Sequence, residues 1–210
     1  MKSYSKEDIQ ALDRIYRLNL INSISGYKSA NLIGTKGSAG ENLAIISSVV
    51  HLGSNPALLG FIMRPDTVER HSLTNIRENG CFTINHVHES MIERAHYTSA
   101  NFDKSISEFD ACKIKASYID DFAAPFVEDS KVKMAMKTTE LVPINSNDTI
   151  MVVAAVEKLL LDEKLLTESG QLDLNVSETV CISGLNRYHR VSEIAKFPYA
   201  RTSELPSFKS

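Results

Sequence analysis

A chain of 210 residues is long enough for one domain with a sizeable core and too short for several. Its 43% apolar and 23% charged residues are ordinary for a globular protein, and a net charge of −3 argues against a nucleic-acid or anionic-membrane surface. No apolar run approaches the ~20 residues that span a bilayer, no hydrophobic leader opens the chain, and Cys81, Cys112 and Cys181 lack the paired spacing of a zinc cage. The expectation is a cytoplasmic protein with reduced thiols.

Ser5 is positioned to cap a helix whose apolar residues Ile9, Leu12, Ile15 and Tyr16 recur at helical spacing, with Glu7 and Asp8 in its first turn. Residues 1–24 read as an N-terminal helical segment and residues 25–210 as a single domain. Residues 28–35 read as a strand, "KGSAGE" as a turn and residues 42–50 as a second strand. Only "HLGSNP" separates that strand from "ALLGFIM", so the two are expected to pair antiparallel, since a parallel crossover needs a dozen or more residues.

Next come a helix over "SLTNIREN" stopped by Gly80, a strand over "CFTINHV" and a helical "ESMIERAH". "CKIKASY" alternates as a strand would, with Cys112, Ile114, Ala116 and Tyr118 on one face; so does "KVKMAMKT", with Val132, Met134, Met136 and Thr138. The β-branched start of "TIMVVAAVEKLLL" favours a strand, "NVSETVCISGL" reads as a weaker one, and the tail mixes a short helix with Pro-punctuated coil. About seven strands joined without long helices imply a mainly β fold with peripheral helices, an antiparallel closed or split β-barrel.

"GTKGSAG" carries three glycines, but Gly34, Gly37 and Gly40 fit neither the dinucleotide fingerprint nor the P-loop, and a strand follows; a hairpin turn is the better reading. His86 and His88 would share a strand face, and Glu93 and His96 a helix face. Their spacing matches no zinc signature, so bonding to loop backbone or a subunit contact is the plainer use and no metal is expected. S-x-x-K occurs three times and G-x-S-x-G not at all, which disfavours a serine nucleophile.

More informative is the pair Ser47–Ser48 inside an apolar strand. Hydroxyls there need partners, either neighbouring backbone or the polar edge of a flat ligand. Just downstream, Arg64, Arg70, His71 and Ser72 gather cations, a hydroxyl and helix N–H groups in one loop, the chemistry of a phosphate site. Together the two clusters suggest a phosphorylated aromatic ligand.

The blocks "NLAIISSVVHLGSNPALLGFIMRP", "ERHSLTNIRENGCFTINHV", "AHYTSANFDKSISEF", "APFVEDSKVK", "SGLNRY" and "YAR" occur in the order seen in the flavin reductase-like family of FMN-binding split barrels, which the chain resembles from about residue 27 to 201. The resemblance implies a split-barrel homodimer with FMN near the dimer interface. It implies that Ser47, Ser48 and Val49 meet the pyrimidine edge of the flavin, that Arg64, Arg70 and His71 take the phosphate, and that Asn85 contacts the ring or holds the serine strand. Tyr188 and the "YAR" tail would close the site, and His51 and His96 would be neighbours of the ring with no catalytic role. Where many relatives carry threonine, this chain has Ser72, which keeps the hydroxyl. The implied activity is hydride transfer from NAD(P)H to flavin, feeding a monooxygenase or other acceptor. The alternative is an FMN-binding electron-transfer or sensing protein without turnover of its own.

Overall fold

The computed structural model describes residues 1–65 and 70–208, and its largest element is a seven-stranded sheet. Ser5 does cap a helix: it accepts from the Asp8 amide while the Asp8 carboxylate accepts from the Ser5 amide. That helix, α1 (Lys6–Ala11), stops at Leu12, and Asp13 caps a second, α2 (Arg14–Ser23), by accepting from the Ile15 and Tyr16 amides. The single helix expected from apolar spacing is thus two, because an aspartate that captures two amides competes with helix continuation.

β1 (Lys28–Ser29) leads into β2 (Asn31–Gly37), which turns back as β3 (Gly40–Ile46). Gly40 takes φ +118° at the turn, and Gly34 permits a close crossing: a Cβ there would lie 2.2 Å from the Pro125 carbonyl oxygen. β3 ends before the expected Val50. The chain passes through Ser47–Val49 and enters β4 (Val50–Ser54), which turns at Asn55–Pro56 into β5 (Ala57–Met63). β5 therefore pairs with β4, and the expected pairing with the segment from Asn42 to Ile46 does not form.

α3 (His71–Asn79) ends at Gly80, whose φ of +65° suits a residue without Cβ. β6 (Cys81–His86), α4 (Ile92–Tyr97) and α5 (Glu108–Ala111) follow. The strand expected over "CKIKASY" shrinks to β7 (Ala116–Ser117), paired with β8 (Phe126–Val127), because Lys113 turns to φ 54° and breaks the run; Cys112 and Ile114 are nevertheless buried. β9 (Val132–Ile144) and β10 (Thr149–Leu161) form a long hairpin. β11 (Cys181–Ser183) falls within the weaker strand expected over "NVSETVCISGL", and β12 (Arg187–His189) forms in the tail, where coil and a short helix were expected; both join β1 in a small sheet.

The large sheet runs β3-β2-β6-β9-β10-β5-β4, antiparallel throughout. Its two edges, β3 and β4, are consecutive in the chain. The three residues between them let Ile46 and Val50 lie no more than ~14 Å apart, so the sheet curls until these strand ends converge at Ser47–Val49. No ladder joins β3 to β4 among the described residues. One core joins β2, β5, β6, β9 and β10 across the curl through Ile33, Phe61, Phe82, Ile84, Met136 and Val152, with Phe61 and Phe82 edge to face at 5.4 Å. A second core, including Leu32, Leu43, Met91 and Phe109, lies between β2–β3 and helices α4 and α5. Burial of β2 and part of β3 between two cores, at ~1.5–3 kcal/mol per fully buried aliphatic or aromatic side chain, makes a firm floor for whatever those strands present.

Candidate functional site

Side chains alternate along β3. Leu43 and Ile45 pack into the second core, whereas Asn42, Ala44, Ile46 and, past the strand end, Ser48 line an open cleft of about 640 Å³. Of the residues singled out from the sequence, the fold gathers Ser47, Ser48, Arg64, Arg70 and His71 in this cleft. Val49 packs against the first core instead. Asn85 is fully buried: its Nδ2 donates to the Leu32 carbonyl (3.1 Å) and the Thr83 hydroxyl (2.9 Å), and its Oδ1 accepts from the Val127 amide (3.0 Å). These bonds tie β6 to β2 and β8, and none of them reaches the serine segment that Asn85 was expected to hold.

Ser48 also finds a main-chain partner. Its Oγ accepts from the Ile62 amide (3.0 Å) and donates to the Ile62 carbonyl (3.2 Å). A side chain thus ties the corner to β5 beyond the Val50–Gly60 end of the β4–β5 ladder, and the Ser48 hydroxyl proton is committed. What the corner offers the cleft is the Ser47 hydroxyl, which has no partner among the described residues, and main chain: the amides of Ser47 and Ser48 donate to no backbone carbonyl among those residues.

The other end of the cleft is built by α3. Its N-cap residue, Arg70, makes no side-chain cap and donates Nε–H to the Pro65 carbonyl (3.4 Å), so among the described residues no side chain caps the first turn of the helix, whose amides carry partial positive charge. Arg64 is exposed at the rim; residues 66–69, between these two arginines, lie outside the described residues. Ser72 is turned away from any anion: its hydroxyl donates to Asn42 Oδ1 (2.5 Å), Asn42 Nδ2 donates to Glu108 (2.6 Å), and Glu108 also accepts from the Leu43 amide (3.0 Å). This relay fixes Asn42 and leaves Glu108 as the single carboxylate of the lining among the described residues, where Lys28, Arg64 and Arg70 outweigh it.

Of the opposite wall, His96 and Tyr188 were named through the resemblance, whereas Thr98 and Lys28 were not singled out in the sequence. Thr98 Oγ1 accepts from the Ile45 amide (3.0 Å) and donates to the Ala95 carbonyl (2.8 Å), which ties the end of α4 to β3. His96 Nδ1 lies 3.1 Å from the Tyr188 hydroxyl, whose pKa burial pushes up to about 12. Lys28 Nζ donates to the carbonyls of Asn22 (2.8 Å) and Gly184 (3.2 Å). For Asn42 a signal did exist, since two-residue alternation back from Ser48 reaches it. For Thr98 and Lys28 the contacts are long-range and leave no local pattern. Tyr188 packs against the second core, and the "YAR" tail is exposed.

His86 and His88 are occupied elsewhere. Burial pushes the His86 imidazole down to about 4, with Nδ1 3.3 Å from the Thr179 hydroxyl, while His88 sits between the Asp129 carbonyl (3.0 Å) and Ser90 (3.1 Å). Among the described residues no three metal-ligating side chains converge, and none of the helices there is long and apolar enough to cross a membrane.

The model of the flavin reductase like domain matches residues 28–175. No curated protein matches the chain. Among solved structures, a split-barrel-domain protein from Shewanella frigidimarina NCIMB 400, assigned as a flavin reductase, is 44% identical, with a TM-score of 0.91 over 95% of this chain and 100% of that one. Component B of nitrilotriacetate monooxygenase from Bacillus cereus shares the fold at 17% identity and TM-score 0.82, over 94% and 98% of the two chains. So does an FMN-binding protein from Thermus thermophilus with bound 1-cyclohex-2-enone, at 16% identity and TM-score 0.72, over 94% and 100%.

Proposed function

Because the chain belongs to the flavin reductase-like family, we propose that it is an NAD(P)H-dependent FMN oxidoreductase with a split-barrel domain at residues 25–210 and an appended helical segment at 1–24. The observation that carries this reading is the polarity of the cleft. The Ser47 hydroxyl and neighbouring amides, without partners among the described residues, stand at one end, the α3 N-terminus with Arg70 stands at the other beside Asn42, and Arg64 lies on the rim. Counted along β3 at ~3.3 Å per residue, Ser47 and Asn42 are ~16 Å apart, room for a tricyclic ring with a ribityl phosphate tail. The donor set suits FMN: amides for the pyrimidine carbonyls, Arg64, Arg70 and the α3 amides for a phosphate dianion.

Bound there, FMN would supply the redox chemistry, with N5 as acceptor for a hydride from C4 of a nicotinamide. The chain's own work is to orient, to neutralise charge and to keep one face of the cleft open for the second substrate. A hydride carries its own hydrogen, so no side chain is assigned as general acid. Val50 and Leu52 on the edge strand β4 are 47% and 40% exposed, and Ile24 and Tyr27 are 68% and 67% exposed, which supports a homodimer burying them. A monooxygenase component is one class of acceptor consistent with the family.

The absence of a dinucleotide fingerprint favours a second reading, an FMN-binding electron-transfer module. Titration with FMN followed by NADH and NADPH oxidation assays, with added FMN or FAD, separates the two. The expected outcome is FMN binding and nicotinamide consumption. Binding without consumption would support the module, and no binding would remove both.

A further inference from the structure

On the wall formed by the end of α4, the fold fixes the direction of the His96 imidazole. His96 lines the cleft at the end of α4, and the Thr98 bond to the Ile45 amide (3.0 Å) sets this end of the helix beside β3, two residues before Ser47. Its Nδ1 meets the Tyr188 hydroxyl at 3.1 Å, with the two rings edge to face at 5.8 Å. A neutral phenol is the better donor and a bare imidazole nitrogen the better acceptor, and burial keeps Tyr188 protonated far above neutrality. Tyr188 therefore donates to Nδ1, and the imidazole proton sits on Nε2. That Nε2–H has no partner among the described residues. Lys28, on the same cleft, already gives two of its three protons to the carbonyls of Asn22 and Gly184.

We propose that His96, held in this tautomer by Tyr188 as its positioning residue, directs Nε2–H at the N1–C2=O edge of the flavin and thereby binds reduced FMN in preference to oxidised FMN. The inference rests on the flavin reading of the cleft. Two-electron reduction by hydride leaves negative charge at that edge, and a donor already aimed at it costs no reorganisation when the charge appears. In oxidised FMN the same carbonyl is neutral and the bond is weaker.

The test compares dissociation constants of oxidised FMN and dithionite-reduced FMN, measured anaerobically, for the wild type and for His96→Ala, His96→Gln and Tyr188→Phe. His96→Ala should lose about tenfold more affinity for reduced than for oxidised FMN, equivalent to a drop of about 30 mV in the potential of the bound flavin. Tyr188→Phe, which keeps the packed ring, should move the ratio about threefold in the same direction. His96→Gln, which keeps an N–H, should recover part of the loss. Equal losses for both forms, or an unchanged ratio in His96→Ala, would overturn the proposal while leaving the flavin site standing. Failure of the wild type to bind either form would remove the site itself.

Discussion

Two polar stretches interrupt the apolar sheet, and they behave oppositely. On β6, Thr83 and Asn85 are fully buried and every polar side-chain group has a protein partner: Thr83 donates to the Pro125 carbonyl at 2.6 Å, and Asn85 ties Leu32, Thr83 and Val127 together. At the corner after β3, Ser48 is bonded to Ile62, but the Ser47 hydroxyl and the amides of Ser47 and Ser48 have no partner among the described residues and lie beside a cleft. The first stretch holds the sheet and the second presents donors. Polarity in a strand is therefore a poor guide to function; whether the hydrogen-bonding capacity is already filled decides.

Asn85→Leu tests the closed side most severely. It leaves the Val127 amide and the Leu32 carbonyl without their side-chain partner, at ~1–3 kcal/mol for each buried group left unsatisfied, so urea unfolding should show a loss of about 3–5 kcal/mol. FMN affinity of the protein that remains folded should be unchanged; a selective loss of affinity would show that Asn85 touches the ligand.

His86 gives the same region a pH dependence. Its folded-state pKa is about 4 against 6.5 for the free imidazole, because burial penalises the charged ring. Unfolding lets it take up a proton, so stability is full above about 6.5, falls as the pH drops towards 4, and levels off once the folded form also protonates. The loss should reach ~3 kcal/mol, from ~1.4 kcal/mol per pKa unit. His86→Phe should flatten the unfolding free energy between these two pH values, and an unflattened curve would assign the dependence to other groups.

The serines should divide a smaller effect between them. Ser48→Ala should lower stability by ~1–2 kcal/mol, since the Ile62 amide and carbonyl lose a shared partner, with FMN affinity following only indirectly. Ser47→Ala should leave the unfolding midpoint nearly unmoved and weaken FMN by ~0.5–1.5 kcal/mol. Interchanged results would place the ligand donor at Ser48 instead.

Much of this fold was legible from local pattern. The hairpin of β9 and β10, the Gly80 stop after α3 and the glycine turn between β2 and β3 each follow from alternation or from a residue that suits a special backbone angle. The break at Ser47 was not legible, because "NLAIISSVV" is β-prone throughout and nothing local says that the chain is crossing from one sheet edge to the other. For the same reason the capping Asp13 was hidden inside a well-spaced apolar run. In the site, the arginine end could be read from charge near a helix start. The opposite wall left no local mark, and His96 and Tyr188 were named only through the resemblance: Tyr188 reaches His96 across 92 positions and Lys28 reaches Gly184 across 156, separations at which sequence carries no periodic trace.

The account stands on a cleft that recognises a phosphate-bearing flavin with its charged end at α3. Calorimetric titration of the wild type, Arg64→Ala and Arg70→Ala with FMN and with riboflavin measures this directly. The wild type should prefer FMN, and each substitution should weaken FMN by ~1.5–3 kcal/mol, about ten- to a hundredfold, while riboflavin changes little. Equal losses for both ligands, or a wild type that binds riboflavin as tightly as FMN, would contradict it.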